Sequence, residues 1–371
     1  MKLTFFAPCI FGLEGLCANE FRFLHLENVR AENGRVLFEG DFHALAKASI
    51  HSRYAERIHI LLAEFEAKTF DQLFEGVKAI EWENYIGMSD AFPVKGRCLS
   101  SSLMSVPDCQ KIVKKAVVSR LSERYLLSWF EETGPVHQIQ FLIIKDRVSV
   151  LLDTSGAGLH KRGYRADAND APIKETLAAA MAELARVRPN HFVRDPMCGS
   201  GTILIEAAMK AKNIAPGMNR YFACERWSCV PASAFAQAKA EAQDQIRTDI
   251  TFHALGSDMD AHALETAAHN AELAGVAELM TFEIGDIRDF CLSDGFETVI
   301  TNPPYGERLL DIRAAEELYR VMGERFRREK GKSYTIITPD DDFEKIFGRR
   351  ADKRRKLYNG ALKCQVYQFF K

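Results

Sequence analysis

The spacing of apolar residues divides the chain into two unlike halves. In the first, to about residue 157, strand-like alternations and helical spacings follow one another in no regular order. Leu3–Cys9 and Arg35–Gly40 read as strands, and an amphipathic helix is expected from about Gly12 to Leu24. The stretch ALAKASIHSRYAERIHILLAEF begins as a helix and runs into a strand near Ile58–Phe65. FDQLFEGVKAI and CQKIVKKAVVSRLSERYLL carry apolar residues at intervals of three and four, which places them on one helical face. HQIQFLIIKDRVSVLLDTSG reads as a hairpin, two apolar strands around Lys145-Asp146-Arg147. Such a mixture predicts an α+β unit.

Residues 158–175, GLHKRGYRADANDAPIKE, are polar and rich in turn formers and read as the junction. Beyond it strands and helices alternate. A helix over Ile173–Val187 leads to a strand over His191–Arg194, a glycine turn and a helix over Thr202–Lys212. After an insertion from Asn213 to Ile250 come strand Ile250–Ser257, helix His262–Ala274, strand Met280–Ile284 and strand Thr298–Thr301. Helix Glu316–Glu329 and strand Ser333–Thr338 close the series. This order predicts a doubly wound α/β domain built on a mostly parallel sheet.

Charge alters the picture only when resolved along the chain. The 371 residues carry 49 Lys and Arg against 51 Asp and Glu, a net charge of −2 that by itself argues against a nucleic-acid partner. Residues 97–165, however, hold 11 basic and 6 acidic side chains, residues 251–317 hold 3 and 14, and residues 320–371 hold 15 and 7. An acidic stretch lies between two basic ones. The N-terminal MKLTFFAPCIFGLEGLC imitates a secretion signal, but Pro8 and Glu14 interrupt its short apolar run. No run of about 18 apolar residues occurs, so no membrane span is expected. Nine scattered cysteines without a paired CxxC pattern point to reduced thiols, a cytoplasmic location and no metal site.

Four elements of the second half carry chemistry. Asp195-Pro196-Met197-Cys198-Gly199-Ser200-Gly201-Thr202 follows a strand and opens a helix. Its glycines let a ligand approach the backbone, and Asp195 suits an ammonium group better than a phosphate. Asp258, ending the next strand, can hold both hydroxyls of a ribose, with Met259 beside it, while Asp260 suits the cap of the following helix. Asp286 and Ile287 follow the third strand and can read an adenine edge. The fourth element is Asn302-Pro303-Pro304-Tyr305. The Asn302 side-chain oxygen and the Pro303 carbonyl can accept both hydrogens of an exocyclic amine, and Tyr305 offers a stacking face. Such an amine is a poor nucleophile while its lone pair is delocalised into the ring. Accepting both hydrogens localises that pair and aims it. Taken singly, each element could equally be an ordinary turn or helix cap.

In this order the four elements resemble the class I S-adenosylmethionine-dependent amino-methyltransferases. With HKRGYR at 160–165, APIKETLAAA at 171–180, CERW at 224–227 and KLYNGALKC at 356–364, the whole chain is similar to the bacterial 23S ribosomal RNA guanine-N2 methyltransferases that carry a THUMP domain. It corresponds to their shorter form, with no second methyltransferase domain. The resemblance implies a ferredoxin-like segment and THUMP domain over 1–157 (THUMP from about 43), a linker over 158–172, and a Rossmann-like methyltransferase domain over 173–371. It also implies S-adenosylmethionine as cofactor, held by Asp195, Pro196, Cys198, Gly199, Gly201, Thr202, Asp258, Met259, Asp286 and Ile287. Asn302 to Tyr305 would orient the acceptor amine. Ribosomal RNA or a precursor ribosomal particle is the expected partner, with a monomer compatible with the reading and the oligomeric state left open. Phosphate contacts are expected from Lys111, Lys114, Lys115, Arg162, Arg165, Arg349, Arg350, Lys353, Arg354, Arg355 and Lys356. The competing readings are a DNA adenine-N6 methyltransferase, whose target amine NPPY would suit equally, and an RNA-binding assembly factor that keeps the fold without catalysis.

Overall fold

A computed structural model describes residues 2–165, 173–305, 312–360 and 362–370. The first half contains β1 (Leu3–Pro8), α1 (Glu14–Phe23), β2 (Glu27–Glu32), β3 (Arg35–Gly40), α2 (Phe42–His51), β4 (His59–Glu66), α3 (Phe70–Lys78), β5 (Val94–Leu99), α4 (Val106–Tyr125), β6 (Gln138–Ile144) and β7 (Arg147–Asp153). These strands form a single sheet in the order β2-β3-β1-β4-β7-β6-β5. The pairs Phe5–Ile60 and Phe6–His59 join its two parts. Lys145 and Asp146 both take positive φ, the conformation that lets a two-residue turn follow the twist of β6 and β7.

The second half contains α5 (Glu175–Leu184), β8 (Phe192–Asp195), α6 (Thr202–Lys212), α7 (Ala232–Asp244), β9 (His253–Asp258), α8 (Ala261–Leu273), β10 (Met280–Ile284), β11 (Glu297–Thr301), α9 (Ile312–Arg325), β12 (Lys332–Thr338), α10 (Phe343–Phe347), β13 (Lys353–Asn359) and β14 (Leu362–Phe369). The sheet order is β10-β9-β8-β11-β12-β14-β13, with the first five strands parallel and β14 antiparallel to both β12 and β13. Successive residues of one strand enter different apolar clusters: Ile300, Ile337 and Val366 join one, and Val299, Ile336 and Tyr367 the other. Side chains alternate across a strand, so this sheet is covered on both faces.

The two halves share one of those clusters, which runs from Leu3 to Val366. The insertion after α6 supplies much of the contact. The Gly217 amide donates to Ile50 O at 2.8 Å, and a Cβ at Gly217 would lie 2.6 Å from the Ile50 backbone. The Trp227 indole donates to Val136 O at 3.0 Å and stacks on His137 at 4.4 Å. Helix α7 packs against α2. The expected linker, 158–172, is described only as far as Arg165, and that part is packed: Leu159, Arg162 and Tyr164 are buried. No helix among the described residues is long and apolar enough to cross a membrane.

Candidate active site

Strands β8 and β11 run side by side, with Val193 opposite Thr298 and Arg194 opposite Val299. Sequence order diverges at this pair, to β9 on one side and β12 on the other, so their C-terminal ends frame the crevice where such sheets bind ligands. Asp195 closes β8, and Asn302 follows β11 at the same edge.

The loop after β8 is held by its neighbour. The Gly199 amide donates to Asp258 Oδ2 at 2.8 Å, the Cys198 amide to Ser257 O at 3.0 Å, and Asp258 Oδ1 accepts the Asp260 amide at 3.1 Å. Gly199 and Gly201 have positive φ, which L side chains rarely adopt. Among the described residues nothing lies within 4 Å of where a Gly199 Cβ would stand, whereas one on Gly201 would meet the Ala267 Cβ at 3.0 Å. Gly199 therefore leaves room for a ligand, and Gly201 lets the turn sit against α8. Asp260 caps α8 by accepting the His262 amide at 3.0 Å, as its position in the sequence suggests.

Asp195 is 2% exposed, and its burial pushes the carboxyl up to about 7, against the Met197 amide that donates to it at 3.2 Å. Asp286 lies the other way: the Arg288 amide and guanidinium donate to it at 2.8 and 2.7 Å and hold its carboxyl below the usual range. Ile287 is buried beside it, and Met259 is 68% exposed at the crevice.

On the acceptor side, Asn302 Oδ1 is buried and has no hydrogen-bond partner among the described residues. A buried acceptor left without a donor costs about 1–3 kcal/mol, so this position calls for an incoming N–H. The Tyr305 hydroxyl accepts from Asn359 Nδ2 at 3.0 Å. Residues 306–311, directly after Tyr305, lie outside the described residues.

The basic residues expected to meet phosphate separate into two groups. Lys111, Lys115, Arg350, Lys353, Arg354 and Lys356 are exposed, although Arg354 pairs with Glu344 at 3.3 Å. Lys111, Lys115 and Gln110 of α4 line an open groove of about 550 Å³ with Pro93 and Val94. The expectation fails for Arg162, which is 3% exposed. It donates to Leu159 O at 2.7 Å, Arg53 O at 2.6 Å and Ser52 O at 3.3 Å, and pairs with buried Glu206 of α6 at 3.4 Å. All three of its nitrogens donate within the fold, so it ties the two halves together from a buried position in which a phosphate could not reach it. Arg165 is likewise engaged, donating to Thr202 Oγ1 at 2.7 Å and Ile173 O at 3.1 Å beside Glu175. Lys114 is paired with Glu132 over the Phe92 ring, Arg349 lies over the Phe369 ring at 4.6 Å, and Arg355 donates to Gly12 O at 3.0 Å. Their alkyl stems and head groups pack the fold together.

Sequence reasoning passed over Ser257, Arg288 and Asn359. Asn359 had a signal, since it lies within KLYNGALKC, but its partner is 54 positions away.

Comparison with known proteins agrees with this geometry. Residues 162–368 match the RMKL-like methyltransferase domain, residues 4–59 the RlmL ferredoxin-like domain, and residues 67–153 the THUMP domain. YpsC of Bacillus subtilis (strain 168), whose name proposes an RNA methyltransferase, is 43% identical over 100% of this chain and 96% of its own length. The structure of SMU.472, a candidate methyltransferase complexed with SAH, superposes with a TM-score of 0.94 at 43% identity, covering 100% of this chain and 98% of that one. A Listeria monocytogenes protein described as a predicted N6-adenine-specific DNA methylase gives 0.94 at 44% identity, covering 100% and 96%. The chain belongs to the RMKL-like methyltransferase family, with a ferredoxin-like and a THUMP domain ahead of one methyltransferase domain.

Proposed function

We propose that the protein methylates the exocyclic N2 amine of a guanine in 23S ribosomal RNA, with S-adenosylmethionine as donor. The observation that carries the reading is Asn302 Oδ1, buried and without a partner among the described residues, at the crevice edge beside the Asp195 loop. Space in front of Gly199 and, at Asp195, a buried carboxyl with no cationic partner among the described residues fit the donor's methionine end. Asp258 keeps a lone pair on each oxygen for ribose hydroxyls after holding the Gly199 and Asp260 amides. Ile287 and Met259 supply apolar surface for an adenine.

The bound cofactor supplies an electrophilic methyl group. The chain supplies alignment: Asn302 Oδ1 and the Pro303 carbonyl accept the two amine hydrogens, and Tyr305 carries the base. Alignment of this kind is worth roughly 7–11 kcal/mol. A paired target must leave its helix to enter, at a cost of a few kcal/mol. The THUMP domain and the exposed lysines of α4 and β13 favour RNA over the DNA implied by the Listeria relative's description. Incubating the protein with labelled donor and unmodified 23S RNA, 16S RNA or plasmid DNA tests the reading. N2-methylguanine in 23S RNA is expected. Label in DNA alone, as N6-methyladenine, would replace it with the adenine reading.

Asp195 gives this site a pH dependence. Near neutrality its carboxyl is half protonated in the free protein, and a bound ammonium favours the ionised form. Affinity for S-adenosylhomocysteine should therefore fall by up to about tenfold per unit as pH drops below about 7, and level off above it. Calorimetry from about pH 5.5 to about pH 8.5 measures this, and a constant affinity would take Asp195 out of the ammonium site.

A further inference from the structure

We propose that Asn359, at the tip of the β13–β14 hairpin, is a positioning residue for the acceptor base, acting through Tyr305. This rests on the methyl-transfer reading above and adds to it a second element that sets the base platform. Asn359 pairs with Leu362 where β13 turns into β14, and its side-chain amide donates to the Tyr305 hydroxyl at 3.0 Å. The ring that follows the Asn-Pro-Pro turn is thus held at its far end by a hairpin more than fifty residues downstream. A tyrosine ring rotates about two bonds, and a hydrogen bond at its hydroxyl removes that freedom. A base stacked on the held ring presents its amine in one plane, toward Asn302 Oδ1.

The hairpin is itself held from the other side. A Cβ on Gly12 would stand 2.6 Å from Lys356 O, Arg355 donates to Gly12 O at 3.0 Å, and Phe11 meets the Tyr358 ring edge-on at 6.5 Å. Tyr358 immediately precedes Asn359. The turn between β1 and α1 therefore supports the strand that carries Asn359. This gives the KLYNGALKC segment a role at the acceptor side of the site. Asn359 is absent from the residues with positive φ, so alanine fits its backbone.

The test is a double-mutant cycle on the full-length protein, read by methyl transfer to 23S RNA. Asn359→Ala should lower kcat about tenfold while KM for RNA and the affinity for S-adenosylhomocysteine change less than about twofold. Tyr305→Phe should cause a similar loss, and Asn359→Ala added to it should cost nothing more. Asn359→Asp, which can accept from the phenol, should recover part of the loss. Independent, multiplying effects of the two substitutions would overturn the proposal, as would a loss in Asn359→Ala matched by weaker S-adenosylhomocysteine binding. Should the wild-type protein methylate no RNA at all, the failure would belong to the proposed function, since the cycle compares variants of an active enzyme.

Discussion

Asn302→Ala is expected to reduce methyl transfer by about 10²–10³-fold while leaving the affinities for S-adenosylhomocysteine and for RNA nearly unchanged. The scale is that of removing one preorganised hydrogen-bond partner from a reacting group. The buried Oδ1 has no donor among the described residues, so its truncation breaks no hydrogen bond to them and should not cost stability. Asn302→Asp sharpens the point. A carboxylate there accepts hydrogen bonds as well as the amide oxygen, and part of the rate should return if acceptance is what matters. Single-turnover measurements with saturating donor separate the chemical step from binding. A variant that keeps more than about a third of the wild-type rate would remove Asn302 from the reaction.

The second large effect concerns the fold. Arg162→Ala should destabilise the protein by about 3–5 kcal/mol, because it strands Glu206 in a fully buried position and leaves three carbonyls without their donor. The salt dependence of RNA binding should not move. Lys353→Ala offers the contrast: its ammonium is exposed on β13, so stability should hold and the slope of log affinity against log salt should flatten by about one unit. Urea denaturation beside filter binding at several salt concentrations distinguishes them. An Arg162→Ala protein of native stability with a flatter salt slope would restore the phosphate role that its sequence suggests.

Arg162 also marks where the sequence stops being readable. It sits among glycines and aspartates, in a segment whose local chemistry is that of a surface turn, and only the packing of α6 against residues 52–53 buries it. The regular elements of the second half were legible because their patterns are local. Helix Thr202–Lys212 and strand Met280–Ile284 coincide with their spacing, and the Asp258–Asp260 pair divides as expected between strand end and helix cap. The strands that escaped notice lie at or next to sheet edges. β2 reads ENVRAE, β5 reads VKGRCL and β13 reads KRRKLYN. Edge strands carry charge that discourages pairing with other chains, and this hides the alternation by which a strand is recognised. The basic run near the C-terminus looks like a solvated stretch for the same reason. Helix α7 was missed because its apolar side is mostly alanine, too small to stand out from a polar insertion. Of the site, the loop and the Asn-Pro-Pro-Tyr segment could be read directly. The tie from Gly199 to Asp258 and the tie from Tyr305 to Asn359 join residues far apart in the chain and become visible only in the fold.

The apolar cluster that runs from Leu3 to Val366 has a consequence for target choice. Trp227, Gly217 and Arg162 fasten one half to the other, so among the described residues packed contacts tie the THUMP domain to the half that carries Asn302. Under the proposed function the molecule is a calliper of fixed span. RNA held by the N-terminal half offers to the crevice only the nucleotide at that reach, so the modified base is selected by its distance from the gripped segment more than by the letters beside it.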